Sequence, residues 1–454
     1  MKTSEYTHRF LARLIIEATT PLAVGSGEKD ILTDALVATD VNGLPYIPGT
    51  AIAGVVRHMI EEVKPTEFDI KQIFGYQDKR DGRGSEIIFT EAKILNSEGK
   101  VVDGMNLKAK EDSLLKLYDE LPIRQHVRIN DKGVSANHGK FDEQVVFAGT
   151  RFCFELEMVA KSETIENFNH ILAQIQSKQF RIGGGTRSGF GEIEVKELYT
   201  RHLDLTEPNE LDLYLKKSSN LSESWDGWEK TEAKPSATQG WTEYKLTLTP
   251  DDFFLFGSGF GDDEADMTPV KERKVVWDDD FHGHLSEELV LIPATSVKGA
   301  LAHRTAFHYN RLKERFAGYT GDKEPKVGNE NEAVQALFGY EKQEEKKQVR
   351  GNLIFSDIIE NKAFEDKILN HVSIDRFTGG AIDGALFQEK VTYGKGKTFE
   401  FRILANNKAF EGDENVQKAF EAALSDVCNG MLPLGGGVNR GNGVFTGSLT
   451  KKEK

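Results

Sequence analysis

The stretch RIGGGTRSGFGEIEV, residues 181–195, joins a glycine-rich loop to a segment that alternates like a β-strand. Glycine allows positive φ and close backbone approach, and exposed amide N–H groups attract anions. No lysine followed by serine or threonine completes a P-loop, and EIEV stands where a dinucleotide-binding fingerprint needs a helix. The loop is therefore either a phosphate-binding loop of another kind or a tight connection between two elements.

The same loop recurs near the C-terminus, where GGGVNRGNG (435–443) matches GGGTRSGFG (183–191) in the register GGGxxxGxG. Three further blocks recur in the same order. They are PLAVGSGEKDILTD (21–34) with FLFGSGFGDDEAD (254–266), YIPGTAIAGVVR (46–57) with LIPATSVKGALAHR (291–304), and IFGY and IIFTEA (73–76, 87–92) with LFGY and LIFSDI (337–340, 353–358). Four blocks in one order indicate a tandem duplication.

Each half shows the periodicities of a split β-α-β unit. Alternating strands are predicted at 9–20 and 242–256, and amphipathic helices at 50–63, 163–177, 296–312 and 415–428, with Thr50 as the N-cap of the first. A further short helix is predicted at 206–217, with Thr206 as its N-cap. These patterns predict an α+β fold with a ferredoxin-like domain in 1–218, a linker in 219–241 and a second ferredoxin-like domain in 242–454.

Composition excludes several classes of protein. The chain has 454 residues, which favours two domains, and no run of 18 apolar residues, so no membrane partner is expected. The N-terminus lacks a signal-peptide core, and only two cysteines, Cys153 and Cys428, are present, so we expect a cytoplasmic protein without a disulfide framework. The net charge of −15 argues against a free-standing nucleic-acid binder, although a local basic groove is compatible with it.

The duplicated blocks resemble the RAMP superfamily, and more narrowly the backbone subunits of type III CRISPR effector complexes. The features that carry the resemblance are GSG followed by aspartate, the IPGT helix start, FG with IFxD/E, and the GGGxxxGxG loop. The resemblance covers both halves. It implies RRM-like (ferredoxin-like) cores with projecting β-hairpin thumbs, guide (CRISPR) RNA, complementary target RNA and other effector-complex subunits as partners, and Mg²⁺ or another divalent cation as cofactor.

In that family an aspartate after the first strand cuts target RNA paired to the guide. By position this residue is Asp34 in the first half and Asp266 in the second, and the same two carboxylates would bind the metal together with RNA phosphates. In the second half, Asp262, Asp263 and Glu264 stand close by, and the sequence leaves open which acid acts. The alternative is that each aspartate caps a turn.

The resemblance also implies RNA contacts at the GSG segments, the helix starts and the glycine loops. These residues are Gly25, Ser26, Thr50, Arg57, Gly183, Gly184, Gly185, Arg187, Ser258, Thr295, Ser296, Lys298, Arg304, Gly435, Gly436, Gly437 and Arg440. A helix N-terminus offers amides and a positive dipole end to phosphate. The alternative for the helix starts is a capped helix whose arginines face solvent.

The thumbs are predicted within 125–149 and 371–394. Histidines 126, 138, 282, 284 and 371 suggest metal or acid–base chemistry, but the HGH at 282–284 lies in a segment that the first half lacks, and an isolated HxH is a weak zinc signal. We expect a solvated loop there.

The sequence leaves four candidate functions. The first is a guide-RNA backbone subunit that cuts target RNA. The second is a scaffold that binds RNA without chemistry. The third is a RAMP-type guide-processing endoribonuclease, against which His8 counts because it precedes the first strand and has no counterpart in the repeat. The fourth is a glycine-loop nucleotide-binding enzyme, which the missing P-loop lysine disfavours.

Overall fold

A computed structural model describes residues 5–29, 33–79, 81–130, 132–163, 165–234, 240–342, 347–360 and 364–453. Two separate hydrophobic cores occupy the two halves of the chain. The first draws on buried residues from Phe10 to Leu198 and adds Val275, whereas the second runs from Tyr244 to Phe445. Because each half buries its own apolar side chains, the duplication seen in the sequence is a duplication of folded units.

The described residues of the first half form ten strands. They are β1 (His8–Ala18), β2 (Tyr76–Asp78), β3 (Asp81–Arg83), β4 (Ile87–Phe89), β5 (Lys93–Ile94), β6 (Ile123–Ile129), β7 (Ser135–Gln144), β8 (Arg151–Ala160), β9 (Ile193–Asp204) and β10 (Glu229–Thr231). Its main sheet has the order β10-β9-β1-β8-β4, and the pairs are antiparallel. Strands β9, β1, β8 and β4 stand in the ferredoxin-like order of last, first, third and second.

Fourteen strands lie in the part of the second half that the structure describes. They are β11 (Trp241–Pro250), β12 (Phe253–Phe254), β13 (Lys271–Glu272), β14 (Val275–Trp277), β15 (Gly283–Leu285), β16 (Leu289–Ile292), β17 (Gly339–Lys342), β18 (Lys347–Arg350), β19 (Leu353–Phe355), β20 (Ile358–Glu360), β21 (Glu365–His371), β22 (Phe387–Tyr393), β23 (Phe399–Asn406) and β24 (Phe445–Glu453). The sheet β19-β23-β11-β24 repeats the order of the first half. The predicted α+β class with two ferredoxin-like cores is confirmed.

Seven helices accompany these sheets in the described residues. They are α1 (Gly49–Val63), α2 (Ile70–Phe74), α3 (Glu166–Ile175), α4 (Pro208–Leu215), α5 (Ala294–Leu312), α6 (Glu332–Phe338) and α7 (Glu414–Cys428). The predicted N-caps are wrong by one or two positions, since Pro48 precedes α1 and Glu207 precedes α4. Proline fixes φ before the first helical turn, so Thr50 lies inside α1.

A β-hairpin leaves each core at the place predicted for a thumb. Strands β6 and β7 pair from Ile123 with Gln144 to Ile129 with Ser135, and β21 and β22 pair from Glu365 with Tyr393 to His371 with Phe387. Both hairpins expose large apolar side chains, including Phe141 at 50% and Phe377 at 100%.

Part of the predicted linker, residues 219–241, packs against the first half. Strand β10 pairs with β9, and Trp225 is buried against Leu11 and Leu203, with its indole Nε1 donating to the Leu213 carbonyl at 3.0 Å. Residues 235–239 lie outside the described part of the chain.

The segment carrying HGH fastens the second half to the first. The Trp277 indole donates to the Gly149 carbonyl at 2.7 Å, and the Gly283 amide donates to the Ser97 carbonyl at 2.8 Å. The Arg151 guanidinium lies over the Trp277 ring at 4.4 Å. The hairpin β14–β15 therefore forms an inter-domain contact, and His282 and His284 are exposed on it.

No helix within the described residues is long and apolar enough to cross a membrane.

Candidate nucleic-acid interface

The two GSG segments form the same hairpin. The Ser26 amide donates to the Leu36 carbonyl at 2.9 Å, and the Ser258 amide donates to the Thr268 carbonyl at 2.9 Å. Gly25, which bridges to Val37, begins this hairpin in the first half. Because the two hairpins have the same hydrogen-bond register, Asp34 and Asp266 lie at equivalent positions in them.

Each of these aspartates is hydrogen-bonded to the thumb of its own half. Asp34 Oδ2 accepts from the Asp142 amide at 3.2 Å, and Asp266 Oδ2 accepts from the Gln388 amide at 2.7 Å. Both aspartates are exposed, and both donor amides lie in the returning strand of a thumb. The bond orients a solvent-accessible carboxylate at the base of each thumb.

Two acids near Asp266, Asp262 and Glu264, make different contacts from it. Lys390 Nζ donates to Glu264 Oε2 at 2.8 Å and also to Asp262. Hydrogen bonding to Lys390 lowers the pKa of Asp262 to about 2. Asp262 Oδ1 accepts from the Ala265 amide at 2.8 Å and so closes a local turn. Asp266 is the acid that stands where Asp34 stands in the first half.

The two aspartate sites differ in their second contact. In the first half the Asp34 amide donates to Asp142 Oδ1 at 2.9 Å, so an exposed and a half-buried carboxylate are brought together from distant segments. In the second half Gln388 occupies that place. Mg²⁺ is held by one or two carboxylates plus substrate phosphates, which the residues at Asp34 fit more fully than those at Asp266. Among the described residues no cluster of three or more metal-binding side chains occurs.

The glycine loops pack tightly on the strand that precedes each GSG hairpin. The Gly184 amide donates to the Ala23 carbonyl and the Gly436 amide to the Leu255 carbonyl, both at 2.6 Å. A Cβ on Gly183 would stand 2.4 Å from the Ala23 oxygen, and φ there is +88°. The glycines are therefore required by packing, and these amides are bonded within the protein. Gly185 at +64° and Gly437 at +66° share the left-handed conformation.

Three cations gather beside the first glycine loop, at the junction of the two halves. Lys298, from the start of α5, donates to Ser188 Oγ at 3.4 Å, and burial together with Arg187 lowers the pKa of Lys298 to about 8. Burial lowers the pKa of the Arg187 guanidinium, and Arg350 lowers it further, with Glu62 offsetting part of the effect.

The Arg187 guanidinium is held by an aromatic contact. It lies over the Trp241 ring at 5.4 Å, and its Nε atom is buried without a hydrogen-bond acceptor. Among the described residues, Arg187, Lys298 and Arg350 form no salt bridge with a carboxylate. Arg350 is exposed, whereas Arg187 and Lys298 are half-buried. Half-buried cations without a counter-ion raise the free energy of the RNA-free protein, and an anion relieves that cost.

A cleft of 780 Å³ opens beside these cations, between the halves. Helices α1 and α3, the first glycine loop and the start of the second half line it, through Gly54, His58, Glu62, His170, Thr186, Arg187, Trp241, Arg350, Asn407 and Lys408 among others. Its lining combines an aromatic ring with basic side chains, the combination used to bind single-stranded nucleic acid.

The other three arginines predicted to contact RNA form ion pairs within the protein. Arg57 pairs with Glu61 at 3.2 Å, Arg304 pairs with Asp426, and Arg440 pairs with the fully buried Glu389. Thr50 and Ser296 are exposed in the first turns of α1 and α5, and Thr295 is half-buried beside Ser296. The structure therefore brings Arg187 and Lys298 together and separates them from the other three arginines.

Sequence reasoning missed Trp241 and Arg350, which fold next to Arg187 from distant segments. It also missed a repeated pair at the thumb bases, where His126 stacks on Phe141 and His371 stacks on Phe387, both with ring centroids 4.7 Å apart. The dipeptide His-Val at 126–127 and 371–372 was the available signal.

Comparison with known families gives the same division of the chain. The family model of the RAMP superfamily matches residues 15–194 and 278–446, one region in each ferredoxin-like half. The chain belongs to the RAMP superfamily. This membership places it among CRISPR-associated RNA-binding subunits, which act in effector complexes. No curated protein matches the chain significantly. In this tandem RAMP protein, both glycine loops, both helix starts and the first GSG hairpin fall in the matched regions, whereas the second GSG hairpin, with Asp266, lies just before the second region.

Proposed function

We propose that this tandem RAMP protein is a guide-RNA-binding backbone subunit of a type III CRISPR ribonucleoprotein and that it cleaves target RNA paired to the guide. One observation carries the proposal: Asp34 and Asp266 are exposed, equivalent carboxylates, each bonded to the base of a thumb. The cations Arg187, Lys298 and Arg350 beside the inter-domain cleft supply the phosphate contacts.

RNA cleavage here needs little covalent chemistry from the protein. The 2′-OH of one nucleotide attacks the adjacent phosphorus, the P–O5′ bond breaks, and a 2′,3′-cyclic phosphate and a 5′-OH result. An aspartate carboxylate accepts the proton of the 2′-OH, and the thumb holds the strand in an in-line arrangement. Asp34 with Asp142, and Asp266 in the second half, would hold a divalent cation that neutralises phosphate charge.

The exposed apolar side chains of the thumbs suit contacts with bases. Val127, Ile129 and Phe141 are each 50% exposed, and Ile374 and Phe377 are 53% and 100% exposed. Apolar and aromatic side chains stack on bases without reading their sequence, which fits a protein that must accept any guide.

A scaffold without chemistry is the second candidate. It is favoured by the hydrogen bond that each aspartate already makes to a thumb amide, because such a bond serves a structural role equally well. The membership in the family is the same for both candidates.

The complex, assembled with a defined guide and end-labelled complementary RNA in Mg²⁺, separates the two. Asp34→Asn and Asp266→Asn should each remove one distinct cut and leave RNA affinity unchanged, and the double variant should remove both. Asp263→Asn is the matched control, because Asp263 is exposed like Asp266 but is not the acid equivalent to Asp34. An unchanged cut pattern in the double variant would establish the scaffold.

A further inference from the structure

The junction between the two halves is complementary in charge. The first half contributes four cations, which we call the exit face. The second half offers carboxylates to two of them, a serine hydroxyl to the third and an aromatic ring to the fourth, and we call these groups the entry edge. The contacts are Arg124 with Glu272 and Asp357, Lys178 Nζ with Glu243 Oε1 at 2.9 Å, Arg181 with Ser356 Oγ at 3.0 Å, and Arg187 over Trp241 at 5.4 Å.

The Arg124 contact is the most buried of these. Burial alone would lower the pKa of Arg124, but Glu272 and Asp357 outweigh it and the pKa is raised. Asp357 Oδ1 also accepts from the Ala294 amide at 2.7 Å, so the same carboxylate anchors the start of α5. Arg124 thus joins a thumb of the first half to the helix start of the second.

The duplication identifies the exit face of the second half. Leu369 pairs with Glu389 in the second thumb as Arg124 pairs with Glu143 in the first. The Gly436 amide bonds to the Leu255 carbonyl as the Gly184 amide bonds to the Ala23 carbonyl. These equivalent bonds align the two glycine loops, and the residues just before them, position by position. In these registers, Arg124, Lys178, Arg181 and Arg187 correspond to Leu369, Gly430, Pro433 and Asn439. All four cations are replaced by uncharged residues.

The exit face of the second half is also apolar and exposed. Met431 is 64% exposed, Val438 is 42% exposed, and Phe307 is 53% exposed. Phe307 corresponds, along α5, to Glu62 of α1, which lines the inter-domain cleft of the first half. A phenylalanine therefore replaces a carboxylate at the same place on the same face.

A second copy of the chain does not fit this face. In a head-to-tail contact, the second copy would present the edge of its own first half. On that edge, Asp40 and Glu91 correspond to Glu272 and Asp357. Docking would bury these carboxylates against Leu369, which provides no cation. Glu91 keeps its own pair with Lys93 Nζ at 2.7 Å, so the uncompensated charge would be that of Asp40. Removing one partner from a buried ion pair costs about 3–5 kcal/mol, because the remaining charge stays uncompensated.

We propose that the exit face of the second half docks a different protein chain, one with an uncharged and apolar edge, and that the loss of four cations keeps this protein from polymerising with itself. A head-to-tail contact between copies would otherwise continue without closing. Unpaired charge against the wrong partner is how interfaces reject self-association. The proposal rests on the proposed place in a multisubunit assembly but not on RNA cleavage.

The first test uses the full chain without RNA and measures its mass by light scattering over a range of concentrations. The wild type should stay at one chain per particle. The variant Leu369→Arg with Gly430→Lys and Asn439→Arg should form particles of two or more chains, and adding Glu91→Lys should return it to one chain. Wild-type particles of several chains that Met431→Glu dissociates would overturn the proposal, as would a charge-restored variant that is folded by circular dichroism yet remains single.

The second test identifies the neighbour in the assembled complex. A photo-crosslinking residue at Met431 should link to another polypeptide, at a stretch without charged side chains. Leu107, which is 91% exposed elsewhere, is the control position and should not give that product. Cross-links to a second copy of this chain, to RNA, or to nothing would overturn the proposal. Neither test depends on cleavage, so loss of activity in the aspartate variants leaves both results unaffected.

Discussion

Asp34 and Asp266 make the same hydrogen bond in two copies of one motif. In each half the carboxylate accepts from the backbone amide that lies between a phenylalanine and a glutamate on the returning thumb strand, Phe141 and Glu143 or Phe387 and Glu389. A turn aspartate would need only its own loop. A bond to the thumb couples the carboxylate to the element that we propose contacts nucleic acid, and this coupling is what makes the pair a candidate for chemistry.

Replacing Asp142 should affect only the first cut. Asp142→Ala removes the Oδ1 atom that holds the Asp34 amide but keeps the backbone bond, so we expect the first cut to slow by about tenfold through lost positioning. Gln388→Ala is the matched control, because Gln388 holds Asp266 through its backbone alone. Rates of the two cuts, measured on one labelled strand, check this. Equal slowing of both cuts would contradict it.

Removing a cation beside the inter-domain cleft should weaken RNA binding at every sequence. Arg187→Gln or Arg350→Gln should reduce affinity and flatten its dependence on salt by about one phosphate contact each. Arg402→Gln is the control, since Arg402 lies in the opposite cleft beside Glu400. Binding titrations at several salt concentrations measure the slopes. A control that flattens the slope as much as Arg187→Gln would refute the assignment.

RNA affinity should fall as the pH rises through about 8. The pKa of Lys298 is lowered to about 8 in the RNA-free protein, so its ammonium is lost above that pH and its attraction to phosphate is lost with it. Below pH 8 the charged form predominates and binding is strongest. Lys298→Arg should remove most of this dependence, because guanidinium keeps its charge. RNA-binding titrations at constant ionic strength from pH 7 to 9 test this prediction. An equal pH dependence in the variant would show that Lys298 is not the group responsible.

Replacing Arg124 should destabilise the junction. Arg124→Met leaves Glu272 and Asp357 buried without a cation, and we expect the free energy of unfolding to drop by about 3–5 kcal/mol. Lys100→Met, which breaks the exposed pair with Glu98, should change it by less than about 1 kcal/mol. Denaturant titration measures both. Arg124→Met combined with Glu272→Met should recover part of the loss, and no recovery would mean that packing, not charge, dominates.

Two kinds of glycine should respond in opposite ways to alanine. Gly183→Ala places a Cβ 2.4 Å from a backbone oxygen at φ +88°, and we expect a loss of about 1–3 kcal/mol. Gly54 lies inside α1 with no atom within 4 Å of its Cβ position, so Gly54→Ala should raise stability by about 0.5–1 kcal/mol. Thermal unfolding compares them. Weaker RNA binding by the stable Gly54→Ala protein would show that RNA approaches α1 closely, whereas unchanged binding would place it elsewhere.

The core of each half could be predicted from its sequence because local patterns and a repeat carried the information. The alternation in β1 and β11, the helical spacing in α1 and α5, and the GSG and GGGxxxGxG blocks were correct in type and order. The N-caps at Thr50 and Thr206 were wrong, because proline and glutamate precede the helices and set their first turns. The ordered part of the linker was missed, since Trp225 finds its place only against Leu11 and Leu203 of the folded sheet.

The sequence by itself determined the duplication, the two ferredoxin-like cores and the positions of Asp34 and Asp266, because each of these depends on residues close together in the chain or on a repeat of them. Only the tertiary structure decided which cations meet. Arg187, Trp241, Lys298 and Arg350 come from four separate segments, and Arg57, Arg304 and Arg440 are neutralised by carboxylates that are distant in sequence or one helical turn away. Charge interactions depend on distance and burial, and both are set only when the halves pack.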